Sequence, residues 1–348
     1  MSVALPPRVM DAGTDSSSRD GVKGAGEPGA GGRRGFSATA RKDGSISTHM
    51  RSSAPAADDL SGLLAQTPYR AVARIGRGSM GEVFEVEHEL LGRRFAAKVL
   101  HAELAKMPGF VDRMRVEAQS MARLRHPNVV EVTDFCLAQG GRPCLIMERL
   151  RGWTLGRELG ERGHLPLPEC LSIAEQALSA LSAAHRLGVV HRDLKPDNLF
   201  LHDAPGASRR LKVLDFGLAR VLPQASPLAP LPAAIPTATG RLVGSPRFLS
   251  PEALTGKPVD QRADLYAVGL VLFILLTGHG PFDHLTLGET LSHVPQAPSR
   301  LRDEPLLKEL DAVVLKALEK RPEDRFQTAA EFAEALASLP AASAAGEA

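Results

Sequence analysis

Between Tyr69 and Leu100 the apolar residues come in short runs broken by glycine turns. The runs at 69–75, 82–87 and 95–100 have the length and composition of strands. A helix is expected from Gly109 to Arg125, where Met114, Met121 and Leu124 recur on roughly one face. Two further strands are expected at 129–136 and 143–148. Beyond them the period becomes helical. Pro168 to Leu187 sets Leu171, Ala174, Leu178 and Leu181 at helical spacing, with a proline in the first turn, where a missing N–H costs nothing. The same pattern predicts helices over 261–277, 306–319 and 328–338. Within the first of these, "AVGLVLFILL" (Ala267 to Leu276) is apolar on every side. It falls far short of the roughly 20 residues that cross a bilayer, so it reads as a helix buried inside a domain. A strand-rich part followed by a helix-rich part predicts two lobes.

The ends differ in kind. Residues 1–67 are rich in Gly, Ser, Ala and Arg, with little aliphatic surface to offset the entropy of ordering, and are expected to be a disordered tail. The folded domain is expected at 68–339, divided into an N-lobe (about 68–149) and a C-lobe (about 150–339), with a short flexible Ala-rich terminus at 340–348. Val221 to Gly244 carries prolines at 223, 227, 230, 232 and 236, which rule out a regular helix and leave a long loop.

Charge and cysteine content narrow the class of partner. A net charge of +2 gives no bulk electrostatic reason to bind nucleic acid or a membrane surface. No charged segment followed by an apolar one opens the chain, so no secretory signal or membrane anchor is read and a cytoplasmic location is expected. Cys136, Cys144 and Cys170 form no C-x-x-C pair, which argues against a disulfide framework or zinc site and predicts buried apolar residues.

"RIGRGSMGEV" (Arg74 to Val83) has the spacing Gly76-x-Gly78-x-x-Gly81, in which backbone can approach a phosphate closely. A dinucleotide site would place a helix after Gly81, yet "EVFEVEHE" reads as a strand, and no Lys-Ser/Thr pair follows to make a P-loop. The glycines therefore lie in a hairpin, which needs a cation from elsewhere to meet phosphates. "FAAKVL" supplies Lys98 on the same strand face as Ala96, and Glu117 is the candidate carboxylate to hold that lysine. "HRDLKPDNLF" (His191 to Phe200) and "KVLDFGLAR" (Lys212 to Arg220) then bring Asn198 and Asp215, oxygen donors suited to Mg²⁺. Asp193 is left to accept a proton from an attacking hydroxyl.

The ordered set of glycine loop, "AAK", "HRDLKPDN", "DFG", "GSPRFLSPE", "DLYAVG" and "RPEDRF" resembles the Hanks-type (eukaryotic-like) serine/threonine protein kinases, including their bacterial members, from about Tyr69 to Leu339. The resemblance implies an α+β, bilobal protein-kinase-like fold. Its N-lobe would be an antiparallel five-stranded sheet plus one helix, and its C-lobe mainly helical. It implies ATP and Mg²⁺ as cofactors, with Mn²⁺ as an alternative ion, and protein substrates phosphorylated on Ser or Thr. A transient homodimer would serve autophosphorylation in trans.

Residue by residue, Gly76, Gly78 and Gly81 would close over the phosphates, beside Ile75, while Val83, Ala96 and Phe200 enclose adenine. Met147 would stand at the back of that pocket, with Glu148 to Leu150 as the hinge. Lys98 would bind the α- and β-phosphates and pair with Glu117. Asp193 would deprotonate the acceptor, Lys195 would steady the γ-phosphate, and Asn198 and Asp215 would hold the metal. Met121, Val132, His191 and Phe216 match a packed spine, Glu252 and Arg325 a buried ion pair, and Asp264 a brace for the catalytic loop. Ser245 and Ser250 depart from the commoner Thr and Ala of the family, and both remain small.

Two other readings stand beside this one. Small-molecule kinases share the Asp and Asn but lack the "SPE" segment and its arginine. A pseudokinase or scaffold would recruit partners through the tail and the proline-rich loop. Such proteins usually lose the lysine or one of the aspartates, all of which are present here. Arg192, next to Asp193, implies control by phosphate on the loop after "DFG", with Thr237 and Thr239 favoured over Ser226.

Overall fold

The computed structural model describes residue 60 and residues 62–203, 209–216 and 246–340. Most of the expected tail, the Val221–Gly244 loop with Ser226, Thr237 and Thr239, and nearly all of the expected C-terminal segment lie outside the described residues.

Five strands form the first sheet: β1 (Tyr69–Arg77), β2 (Gly81–His88), β3 (Arg93–Leu100), β4 (Val132–Ala138) and β5 (Arg142–Glu148). Their order is β1-β2-β3-β5-β4, with every neighbouring pair antiparallel. Alternation gives the sheet two unlike faces. Phe84, Val86, Phe95, Ala97, Val99, Cys144 and Ile146 form an outer apolar cluster. Val83, Ala96, Lys98 and Met147 share the inner face, since Val83 is opposite Lys98 and Ala96 opposite Met147. The helix α1 (Ala102–Ala105) is a single turn, and α2 (Phe110–Arg123) buries Phe110, Met114, Glu117, Ala118 and Met121.

Two features differ from the sequence reading. The N-lobe has the short α1 as well as the expected helix. Its folded part also starts before residue 68: Leu63 and Leu64 are buried in the outer cluster, and the Gln139 amide donates to the Leu63 carbonyl at 2.8 Å. Two adjacent leucines cover the apolar outer face that strand alternation creates.

The C-lobe opens with β6 (Gly152–Thr154), α3 (Leu155–Arg162) and α4 (Leu167–Arg186). With β7 (Leu199–His202) and β8 (Arg210–Val213), β6 makes a small antiparallel sheet in the order β6-β7-β8. The sequence shows a buried-looking strand before Asp215, which is β8, but not the sheet that it joins. Then come α5 (Pro251–Leu254), α6 (Gln261–Thr277), α7 (Leu287–Thr290), α8 (Leu307–Ala317) and α9 (Ala329–Ala337). As its composition predicts, α6 is buried almost throughout, from Ala263 to Leu276. Asp260 caps its start by accepting from the Arg262 amide, and Gly278 at φ +81° ends it in the left-handed region. No described helix is long and apolar enough to cross a membrane.

Candidate active site

The site forms where the inner face of the first sheet meets β7, β8 and the loop between α4 and β7. Asp264, at the start of α6 and 1% exposed, organises that loop. Its carboxylate accepts from the backbone amides of His191 and Arg192, both at 2.9 Å, and contacts His185 Nε2 at 2.8 Å. Arg192 sits at φ +67°, a conformation that L-residues avoid, and the two amide bonds hold it there. The His191 ring is fixed from both sides. Its Nδ1 accepts from the Asp193 amide at 3.3 Å, so Nε2 carries the proton donated to the Leu214 carbonyl at 2.7 Å. The same ring meets Phe216 edge-on at 4.7 Å. Met121, Val132 and Phe216 line one apolar cavity together with Met147.

This scaffold presents the polar groups. Lys195 Nζ lies 2.6 Å from Asp193 Oδ2. Asn198 Nδ2 donates to the Asp193 carbonyl at 2.7 Å and to its Oδ2 at 3.1 Å. Asp215 also adopts a left-handed backbone, φ +58°, and its Oδ2 meets Lys98 Nζ at 2.6 Å. That contact joins the lysine expected at the phosphates to the aspartate expected at the metal. Lys98 is 9% exposed, and a cation so placed takes the carboxylate brought into contact with it. Glu117 is itself buried on α2.

The remaining sequence candidates fall around this centre. Gly76 is opposite Val83, and the loop to Gly81 is closed by the Gly78 amide donating to the Gly81 carbonyl at 2.8 Å. Ile75 is half exposed beside it. Phe200, on β7, is opposite Lys212 of β8 and Thr154 of β6. Leu150 follows β5 and is half-buried. Thr237 and Thr239 lie outside the described residues.

Sequence reasoning missed one member. Lys212 Nζ meets Glu148 Oε1 at 2.5 Å and the Val129 carbonyl at 3.3 Å. The same Glu148 oxygen accepts from the Glu131 amide at 2.9 Å. The segment joining the lobes is thereby tied to the strand that delivers Asp215.

Lys98, opposite Val83 of the glycine hairpin, thus meets Asp215, and Lys195 and Asn198 converge on Asp193. Residues 69–336 match the protein kinase domain family. The chain belongs to the protein kinase family. Among relatives of this kinase, serine/threonine-protein kinase Pkn1 of Myxococcus xanthus is 41% identical over 272 residues, covering 77% of this chain and 38% of that protein. Serine/threonine-protein kinase PknB of Mycobacterium leprae is 39% identical over 265 residues, covering 74% of this chain and 40% of that one. The kinase thus spans about two fifths of the length of these relatives. Among solved structures, the Mycobacterium tuberculosis PknI kinase domain aligns with a TM-score of 0.61 at 30% identity, covering 79% of this chain and 97% of that one.

Proposed function

We propose that this kinase transfers the γ-phosphate of ATP to Ser or Thr hydroxyls of protein substrates. The observation that carries the reading is the arrangement at Asp193. Lys195 and Asn198 both hold its Oδ2, which leaves Oδ1 to accept the proton of an incoming hydroxyl. Phosphoryl transfer requires positioning and neutralised charge more than covalent help from the protein, and the cleft supplies both. Lys98 is the cation for the α- and β-phosphates, with Glu117 as the carboxylate that pairs with it. Lys195 neutralises the γ-phosphate. Val83, Ala96, Met147 and Phe200 are apolar surfaces for the base, Ile75 and Leu150 border it, and the backbone of Glu148 to Leu150 offers it hydrogen bonds.

The donors fit Mg²⁺. Asp215 is a carboxylate, and Asn198, with its amide nitrogen engaged by Asp193, has its amide oxygen free for an ion. Among the described residues no three His, Cys, Asp or Glu side chains converge on one point, so phosphate oxygens would complete the shell. When bound, the ion supplies charge neutralisation at the phosphate oxygens. Autophosphorylation at Thr237 and Thr239, passed between two transiently paired copies, is the proposed switch.

The test is incorporation of labelled phosphate from Mg-ATP into the chain and an added protein substrate. Asp193→Asn is expected to lower it by about 10²–10⁴-fold, as for a lost general base, with the thermal midpoint unchanged. Equal incorporation by variant and wild type would overturn the assignment and favour a scaffold.

A further inference from the structure

Cys136 on β4 and Cys144 on β5 are eight positions apart in sequence and directly opposite each other in the sheet. Opposed residues point to the same face, with Cβ atoms about 4.5–5.5 Å apart. A disulfide spans Cα separations of about 4.4–6.8 Å, and both spacings of an antiparallel ladder, about 4.5 and 5.5 Å, fall inside that range. The turn between the strands contains Gly140 and Gly141 at φ +76° and +72°, backbone that can yield as two sulfurs draw together.

The two thiols are not equivalent. Cys144 is 0% exposed within the outer cluster, while Cys136 is half-buried on the edge strand and packs against that cluster. Their mutual hydrogen bond draws the Cys136 thiol below its ordinary value, and the same bond together with burial pushes Cys144 up. Cys136 is the less buried of the two thiols, with a second sulfur behind it. The third cysteine, Cys170, is buried in the other core cluster and donates to the Leu165 carbonyl.

We propose that Cys136 and Cys144 form a modification site at which a hydroperoxide closes a reversible intramolecular disulfide. The Cys136 thiolate attacks one oxygen of hydrogen peroxide, the O–O bond breaks, and hydroxide leaves to become water. The Cys136 sulfenic acid is then attacked by the Cys144 sulfur. The S–O bond breaks, and a second water departs carrying the Cys144 proton. Two thiols lose two electrons and peroxide gains them. The site lies on the sheet face opposite Lys98 and does not depend on the catalytic assignment.

The experiment uses the full chain, freed of reductant and treated with hydrogen peroxide under native conditions. Thiol titration after unfolding is expected to fall from three groups to one. Intact mass should drop by two hydrogens, peptide mapping should join the segments carrying Cys136 and Cys144, and dithiothreitol should restore the starting mass. Cys136→Ser, a change at a half-buried edge position, should abolish the linked peptide. The proposal is overturned by an unchanged thiol titre, by oxygen adducts on unlinked cysteines, by a linkage through Cys170, or by a disulfide between two chains.

Discussion

Gly78 and Gly81 occupy one motif and answer to different constraints. A Cβ on Gly81 would lie 2.3 Å from the Val99 carbonyl oxygen and 2.8 Å from Leu100 Cα, backbone of the neighbouring strand that cannot swing aside. At Gly78 the nearest atom to such a carbon is the Gly81 carbonyl oxygen, at 3.8 Å. Gly81 is thus required by the fold, and Gly78 is free for close approach to a ligand. Gly81→Ala is expected to destabilise the protein by about 1–3 kcal/mol through overpacking. Gly78→Ala should shift stability by less than about 0.5 kcal/mol while weakening ATP binding. Urea unfolding and nucleotide titration of both variants check this, and equal destabilisation would refute the distinction. The sequence shows three glycines at the right spacing. It does not show which of them faces a strand, because that depends on the β2–β3 register.

Among the elements, α3 and β6 are joined by an acid-sensitive cluster. Glu158, 4% exposed, accepts from Trp153 Nε1, from Arg162 Nη1 at 2.9 Å and from Arg209 Nη1 at 3.0 Å. The Arg157 and Arg209 guanidiniums lie 5.2 and 4.7 Å from the Trp153 ring centroid. Burial opposes ionisation of Glu158, but the Trp153, Arg162 and Arg209 donors outweigh it and hold its carboxyl below the usual range. A depressed folded-state pKa contributes stability above the unfolded value, about 4.3 for Glu, that is lost as pH falls through the folded one. Glu158→Gln should therefore cost about 1–3 kcal/mol at neutral pH, where charged hydrogen bonds are lost, and flatten the fall in thermal midpoint towards about pH 4. Parallel pH profiles for variant and wild type would count against it. The long elements were legible because an apolar period recurs over many residues, as in α4 and α6. Of the β6–β7–β8 sheet only the apolar run before Asp215 was, because strands of three and four residues are too short to show a period. Lys212 was hidden for a related reason: its partner Glu148 is 64 positions away, and a lysine within an apolar run reads as exposed. In the same way Cys136 and Cys144 meet through register, which no linear spacing encodes.

At the scale of the whole molecule, the described residues form two cores. One runs from Leu100, Phe110 and Met114 through α4, α6, α8 and α9, and the loop that carries Asp193 is built on it. The other is the outer face of the first sheet, closed by Leu63 and Leu64. The family match begins at residue 69, yet the apolar surface behind β1 to β3 is completed by residues that precede it. The first core is also stapled by Glu252 and Arg325, bonded through both guanidinium arms at 2.8 and 2.7 Å, so the two cores differ in how they are secured. Leu64→Ala, at a side chain 2% exposed, is expected to cost about 2–5 kcal/mol where it packs. Because Leu64 belongs to the outer cluster and α6 to the other, the loss should appear first as faster amide exchange in β1, β2 and β3, with α6 still protected. Exchange that quickened equally in α6 would mean that the two cores open as one cooperative unit, and Leu63 and Leu64 would then be part of the stability of the catalytic loop itself.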